Sequence, residues 1–178
     1  IDLPLQHISD HMLTAMNRHG DGAMIREVLR KLRTEVPGIV IRTTFIVGFP
    51  GETEEEFEDT LKLIETVGYD ALFTFIYSPR PGTPAAKLPD PATREEKNRW
   101  FDRLCQTQNR ISEDRHRAYI GKVYRVLLDG MEGNLLTSRT EGGRLVRLEG
   151  DSSLIGQFRE VEITGATAWS LTGKLVEK

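Results

Sequence analysis

The sequence predicts an α/β segment organised like half of a parallel barrel, followed by a small antiparallel β-barrel. Strand-like and helix-like apolar periods alternate up to about residue 119, and this alternation is typical of parallel strands joined by helical crossovers. After Gly121 the helical period ends, and short alternating runs are separated by Gly and Asn. We therefore expect two domains, residues 1–118 and 119–178.

The chain opens with a strand and two helices. Residues 1–5 have the pattern of the end of a strand, and Ser9 can cap a short helix. Residues 23–35 place apolar side chains on one helical face, and Pro37-Gly38 ends that helix.

A β-branched run over residues 39–47 predicts the second strand. It ends in Gly48-Phe49-Pro50-Gly51, and Thr53 to Glu56 then forms a capping box for a helix that stops at Gly68. The turn lacks the Gly-Lys-Ser/Thr ending of a phosphate loop, which favours a small organic cofactor over a nucleoside triphosphate. The alternative is that Gly48 and Gly51 only shape the turn.

Residues 71–77 predict a third strand, and residues 78–84 a rigid loop at the same rim as the glycine turn. Three strands cannot close a barrel, so we expect the second half of a larger one, with an unpaired edge at the first strand. A second capping box, Thr93 to Glu96, opens a long helix to about residue 119. Its apolar stripe predicts core packing, with Cys105 beside the stripe as a small buried side chain.

The second domain is predicted to contain five strands, at residues 122–129, 135–140, 144–149, 158–164 and 170–176. Small barrels of this kind often bind oligonucleotides through Arg and aromatic side chains. The candidates here are Arg139, Arg144, Arg147, Arg159 and Trp169. Acidic residues balance these cations, so charge alone indicates a solvated surface.

Composition limits the function classes. The 178 residues are 38% hydrophobic and 29% charged with a net charge of -3, which gives no global basic field for nucleic acid. One cysteine excludes a disulfide framework and cannot hold an iron-sulfur cluster alone, so we expect a reducing, cytoplasmic setting. No segment is apolar enough to span a membrane.

Two features have simple structural explanations. His7 and His11 stand four residues apart, but no third metal ligand converges on them, so packing or solvent contact is favoured. The basic run Arg115-His116-Arg117 at the end of the long helix is explained by the helix dipole without RNA.

Several ordered motifs resemble the radical S-adenosylmethionine methylthiotransferases. They are Leu3-Pro4-Leu5-Gln6-His7, Met16-Asn17-Arg18, residues 42–53 and residues 77–83. The last domain resembles the TRAM domain of that family in Ser138-Arg139-Thr140, Arg144-Leu145-Val146 and residues 169–173. The resemblance covers essentially the whole chain.

The resemblance implies S-adenosylmethionine and two [4Fe-4S] clusters in the full-length enzyme. The family holds one cluster in a Cys-x-x-x-Cys-x-x-Cys loop and the other through three N-terminal cysteines, and neither set is in this sequence. It therefore implies a missing N-terminal half, no catalytic or metal-binding residue here, and no activity of this chain alone. An electron donor such as flavodoxin or ferredoxin is also implied.

The implied reaction begins when a reduced cluster cleaves S-adenosylmethionine to a 5'-deoxyadenosyl radical, which removes a hydrogen atom before sulfur is inserted. The protein orients the reactants and excludes water. The implied roles are Gln6 on the ribose or amino-acid part of the cofactor, Arg42 on its carboxylate, an adenine wall of Ile46, Gly48 and Phe49, and Tyr77 as a further contact. Arg139, Arg144, Arg147 and Trp169 are the expected RNA contacts.

Two substrates are known in the family, an N6-modified adenosine beside the tRNA anticodon and an aspartate of a small-subunit ribosomal protein. Residues 6–9 and 42–45 are more similar to the protein-modifying branch, whereas residues 73–83 and 168–171 are more similar to the tRNA-modifying branch. We favour tRNA, because the terminal domain is expected to choose the substrate. A non-catalytic RNA-binding or ribosome-binding module is the remaining alternative.

Overall fold

The computed structural model describes residues 1–176 and divides into two compact units, Ile1–Gln108 and Asn109–Lys178. Glu177 and Lys178, the end of the predicted second domain, lie outside the described residues. Among residues 1–176, no helix combines the length and apolarity needed to cross a bilayer.

The first unit is built on a three-stranded parallel sheet with strand order β1-β2-β3. The strands alternate with helices as predicted. The elements are β1 (Asp2–Gln6), α1 (Asp10–Ala15), α2 (Gly22–Glu35), β2 (Arg42–Val47), α3 (Glu54–Val67), β3 (Ala71–Ile76), a 3-10 turn (Pro84–Lys87) and α4 (Arg94–Arg117), the last turns of which belong to the second unit.

The predicted helix boundaries are confirmed by their hydrogen bonds. The Ser9 side chain caps α1, and Thr53 and Glu56 form a reciprocal capping box on α3. The same exchange joins Thr93 and Glu96 at the start of α4. Gly68 ends α3 in the left-handed region, at φ +57°.

The two faces of the sheet differ in burial. Along β2, residues 43, 45 and 47 are buried, whereas residues 42, 44 and 46 are only partly buried. The apolar faces of α2 and α3 are buried as well, including Leu29, Phe57 and Ile64, so the core lies on the side of Phe45. The side of the sheet that carries Thr44 and Ile46 remains available for a ligand.

The second unit is a closed five-stranded barrel with strand order β4-β5-β6-β8-β7. The strands are β4 (Val123–Glu132), β5 (Leu135–Thr140), β6 (Leu145–Leu148), β7 (Phe158–Ala166) and β8 (Leu171–Leu175). The core side chains alternate with exposed ones along each strand: Val126, Leu128, Leu136, Val146, Leu148, Val161, Ile163 and Leu171.

One strand pair departs from the predicted antiparallel barrel. β6 and β8 are parallel, while every other neighbouring pair is antiparallel. The reason is parity, because strand direction cannot alternate all the way around a closed ring with an odd number of strands.

Candidate cofactor site and nucleic-acid interface

The carboxyl ends of the three parallel strands meet at one rim of the first unit. β1 ends at Gln6, which lies opposite Phe45, and Val47 lies opposite Ile76. The Tyr77 N–H donates to the carbonyl of Val47 at 2.9 Å, which extends the pairing by one residue. Ligands of open parallel sheets bind outside this edge.

A cavity of about 500 Å³ opens at this rim. It is lined by Gln6, Thr44, Ile46, Phe75, Ile76, Tyr77, Ser78, Arg80, Thr83 and Ala85. Its walls are mainly apolar, and a few polar groups converge on it, which is the composition of a small-molecule site. Of the predicted cofactor contacts, Gln6, Ile46 and Tyr77 are brought together here.

Two features of the residues that line this cavity are unusual: a hydroxyl without a partner within residues 1–176 and a left-handed backbone. The Tyr77 hydroxyl is buried and makes no hydrogen bond, a situation that costs about 1–3 kcal/mol. Gln6 has a left-handed backbone at φ +74°, unusual for a residue other than glycine and typical of functional sites. A left-handed backbone of this kind at the end of β1 favours a ligand-binding role for the position of Gln6.

Gly48 faces the protein rather than the cavity. Its φ is +70°, its N–H donates to the Glu52 Oε2 at 2.5 Å, and a Cβ there would lie 2.5 Å from the Cδ of Lys97. Lys97 is itself buried and paired with Asp90. The glycine is therefore needed for turn shape and close packing, the alternative left open by the sequence.

A buried polar network holds this turn, and the sequence did not predict it. Glu52 accepts from the Nε2 of His7 at 3.0 Å through one oxygen and from Gly48 through the other. The His7 Nδ1 accepts from the Ser9 N–H at 3.0 Å, which places the proton on Nε2. Both side chains are about 1% exposed or less, so the network ties the ends of β1 and β2 together.

His11 takes no part in that network. It lies on the surface and contacts the Glu56 Oε1 at 3.0 Å. Burial alone would raise the pKa of Glu56, but hydrogen bonds from Ser9, the Thr53 N–H and His11 outweigh it and hold that pKa below its ordinary value. Nowhere in residues 1–176 do three or more His, Cys, Asp or Glu side chains converge as metal ligands would.

Phe49 and Arg42, two other predicted cofactor contacts, do not line the cavity. Phe49 is buried behind it, with its ring edge on Tyr77 at 4.9 Å between centroids. Arg42 begins β2 and is therefore at the opposite end of the strand, about 17 Å from the rim at 3.3 Å per residue. There it pairs with Asp2 at 2.5 and 2.6 Å, and this hydrogen bonding lowers the pKa of Asp2.

In the second unit, Arg144 is not placed as an RNA contact. It is 7% exposed, and its guanidinium donates to the Tyr119 hydroxyl at 3.1 Å and to the His116 Nε2 at 2.6 Å. His116 therefore carries its proton on Nδ1, which donates to the carbonyl of Thr167 at 2.6 Å. Arg144 joins the barrel wall to the end of α4, which corrects its predicted role.

The other predicted RNA contacts are on the surface. Trp169 is 76% exposed at the β7–β8 turn, where Thr167 and Ser170 exchange hydrogen bonds. Arg147 reaches the Ser170 Oγ at 2.7 Å and also pairs with Glu132 at 2.7 Å, so it lies beside this turn.

Arg139 lies on the outer face of β5, where it pairs with Asp129 at 3.4 Å. The sequence reasoning missed an exposed pair, Arg125 stacked 4.5 Å over the ring of Phe158. Residues alternate between the inner and outer faces along β4 and β7, and this alternation predicts that Arg125 and Phe158 both face outward.

Cys105 is the only cysteine of the chain. Burial raises the pKa of its thiol, and the Asp102 carboxylate adds to this effect, so the thiol stays protonated and weakly nucleophilic. The described residues therefore do not fit an iron-sulfur cluster, which needs several thiolates.

Two family models match the chain. Residues 1–64 match the Radical SAM superfamily, and residues 117–176 match the TRAM domain. A likeness to the solved structure of coproporphyrinogen III oxidase (HemN) from Escherichia coli, described as a radical SAM enzyme, has a TM-score of 0.49 at 19% identity and covers 79% of this chain and 40% of that one.

Curated relatives match over nearly the whole chain. A protein of Aromatoleum aromaticum is 45% identical over 99% of this chain and 40% of its own length. A protein of Clostridium botulinum is 44% identical over 98% of this chain and 39% of its own length. Both are named tRNA-2-methylthio-N(6)-dimethylallyladenosine synthase, and the chain spans about two fifths of their length.

Proposed function

The chain belongs to the radical S-adenosylmethionine methylthiotransferase family, and from that premise we propose that it is part of an enzyme that adds a methylthio group to N6-dimethylallyladenosine in tRNA. The observation that carries this proposal is 45% identity over 99% of the chain to a synthase of that name. In this proposal, residues 1–118 supply part of the cofactor wall and residues 119–178 bind tRNA.

The rim cavity is the proposed site for S-adenosylmethionine. Ile46 offers an apolar surface for the adenine, the Gln6 amide offers a polar group, and Tyr77 completes the wall of the cavity. When bound to a reduced cluster, S-adenosylmethionine supplies the radical chemistry. The apolar walls exclude water, and the network of His7 and Glu52 keeps the adjoining turn in place.

The proposed [4Fe-4S] clusters are held by cysteines outside this chain. Cys105 is a single thiol with a raised pKa, and the described residues contain no group of three metal-ligating side chains. We further propose that the whole enzyme works in the cytoplasm with an electron donor such as flavodoxin or ferredoxin.

Trp169 is the proposed stacking contact for RNA. Hydrogen bonds from its own N–H and that of Ser170 to the Thr167 Oγ1 order the turn that presents it. A base stacked on an aromatic side chain contributes about 1–3 kcal/mol. Arg147, held beside the turn by Ser170, supplies the adjacent positive charge for a phosphate, and Arg139 on β5 offers a second one.

The deciding experiment uses the complete protein that contains this chain, prepared without oxygen and with reconstituted clusters. Mass spectrometry of tRNA and of small-subunit ribosomal proteins is expected to find the methylthio group on the adenosine. Modification of a ribosomal-protein aspartate with unmodified tRNA would refute the proposed substrate. Gln6→Ala is expected to weaken binding of S-adenosylmethionine, whereas Gln106→Ala, an exposed glutamine outside the rim cavity, serves as the matched control.

A further inference from the structure

Two aromatic side chains lie on the open face of the sheet; Phe75 lines the cavity, and Phe73 is two residues earlier on the same strand. Phe73 and Phe75 lie opposite Thr44 and Ile46 in the parallel register, so all four share the face turned away from the core. The two rings are two residues apart on one strand, a spacing of about 7 Å. They are 50% and 56% exposed in this chain, which spans about two fifths of the length of its relatives.

Among the residues that line the cavity, Arg80 carries the only positive charge. Arg80 lines the same cavity as Phe75, and its guanidinium has no hydrogen bond or ion pair within residues 1–176. The loop around it is ordered, because the Arg80 carbonyl accepts from the Thr83 hydroxyl at 2.8 Å and from the Thr83 N–H at 3.2 Å. The guanidinium is therefore placed near the apolar surface and remains available to an anion.

We propose that Phe73 and Phe75 bind the dimethylallyl group of the target adenosine and that Arg80 binds a neighbouring phosphate of the RNA. This inference rests on the proposed function and assigns the part of the site that selects a prenylated nucleoside. Gln6 and Ile46 remain the cofactor contacts, and the aromatic pair lies beyond them toward the edge of the sheet.

The chemistry of the surface favours this occupant over an aspartate-bearing peptide. A dimethylallyl group is a branched hydrocarbon, and each buried methylene contributes about 0.8 kcal/mol when it leaves water. An RNA carries a phosphate on both sides of the target nucleoside, and a planar guanidinium suits such an oxyanion. A carboxylate substrate could pair with Arg80, but it would leave the two phenyl rings without an apolar group to cover them, whereas a prenylated nucleotide in RNA supplies both the hydrocarbon and the anion.

The test measures how strongly the complete protein prefers a prenylated RNA. Two anticodon stem-loop RNAs are compared, one with adenosine and one with N6-dimethylallyladenosine at the target position, and the ratio of their Kd values is the readout. We expect the wild-type protein to bind the prenylated RNA more tightly. Phe75→Ala is expected to reduce that preference about tenfold, and Phe73→Ala by a smaller factor in the same direction.

Two further variants control this experiment. Phe158→Ala removes a phenylalanine of matching exposure, 55%, from the second unit and is expected to leave the ratio unchanged. Arg80→Gln is expected to weaken binding of both RNAs by a similar factor, because phosphate contact does not distinguish the two bases. The Kd for S-adenosylmethionine of each variant shows whether the cofactor contacts remain intact.

The outcomes separate this inference from the proposed function. A wild-type protein that binds and modifies the prenylated RNA, with an unchanged Kd ratio in Phe75→Ala, overturns the inference and leaves the proposed function standing. A wild-type protein that neither binds nor modifies either RNA overturns both. Loss of preference in Phe158→Ala but not in Phe75→Ala would place the selecting surface in the barrel and also overturn the inference.

Discussion

Replacing Glu52 by Gln tests the buried network under the glycine turn. The wild-type carboxylate accepts two hydrogen bonds, from His7 at 3.0 Å and from the Gly48 N–H at 2.5 Å. The Gln side chain has nearly the same shape but only one acceptor oxygen. His7 cannot shift its proton to Nδ1, because that atom accepts from the Ser9 N–H. One buried donor is therefore left facing an amide NH₂, at a cost of about 2–3 kcal/mol.

Hydrogen–deuterium exchange measures this cost locally. The Gly48 amide is protected by Glu52, so Glu52→Gln is expected to speed exchange in the peptide around Gly48 by about 30- to 140-fold, at 1.4 kcal/mol per tenfold. Glu35→Gln, an exposed carboxylate in the same unit, is the matched control and should leave that peptide unchanged. An effect of Glu52→Gln below about twofold would refute the assigned proton positions.

Gly48→Ala is expected to destabilise the first unit by about 2 kcal/mol in urea unfolding, because the new Cβ would lie 2.5 Å from the Lys97 side chain. Gly38→Ala is the control, because Gly38 also has a positive φ, +79°, but has open space around it. Its free energy of unfolding should fall by only about 1 kcal/mol, the cost of the backbone conformation alone. Arg144→Met is expected to lower the free energy of unfolding of the second unit by about 2 kcal/mol, because buried acceptors lose their donor, and the melting temperature should fall accordingly. Arg139→Met is the control and should change that free energy by less than about 0.5 kcal/mol. Equal effects of the two substitutions would contradict the burial of Arg144. Folding lowers the pKa of Glu56, so the carboxylate stabilises the folded chain above its ordinary pKa of 4.5, and this stabilisation is lost as the pH falls through the folded pKa. Glu56→Gln should therefore flatten the decline of the unfolding free energy below about pH 5. A decline that is unchanged in the variant would count against this reasoning.

The predictions that succeeded depend on residues close together in the chain. Capping by Ser9 and the two capping boxes involve side chains three residues from their partners, so the residue types alone predict them. The parallel order of the strands followed from the alternation of periods. From that order the meeting of Gln6, Ile46 and Tyr77 at one cavity followed, because carboxyl ends of parallel strands share an edge.

The predictions that failed depend on where a side chain lies along or around an element. Arg42 has the right chemistry for a carboxylate, but it begins the strand whose other end forms the rim. Arg144 was a candidate RNA contact because an arginine on a small barrel suits phosphate, yet its partners, Tyr119 and His116, lie 25 and 28 residues away in the chain. A sequence pattern carries no record of such distances.

The sequence by itself determined the elements, the parallel pairing of the first three strands and the rim at which those strands end, because local hydrogen bonding and apolar period dictate these features. The tertiary structure alone decided which polar groups are used up inside the protein and which remain available. Glu52 and His7, 45 residues apart, satisfy each other, while the buried Tyr77 hydroxyl and the Arg80 guanidinium make no hydrogen bond within residues 1–176. The physical reason is that a buried polar group must find its partner in space, and folding rather than sequence order sets that separation.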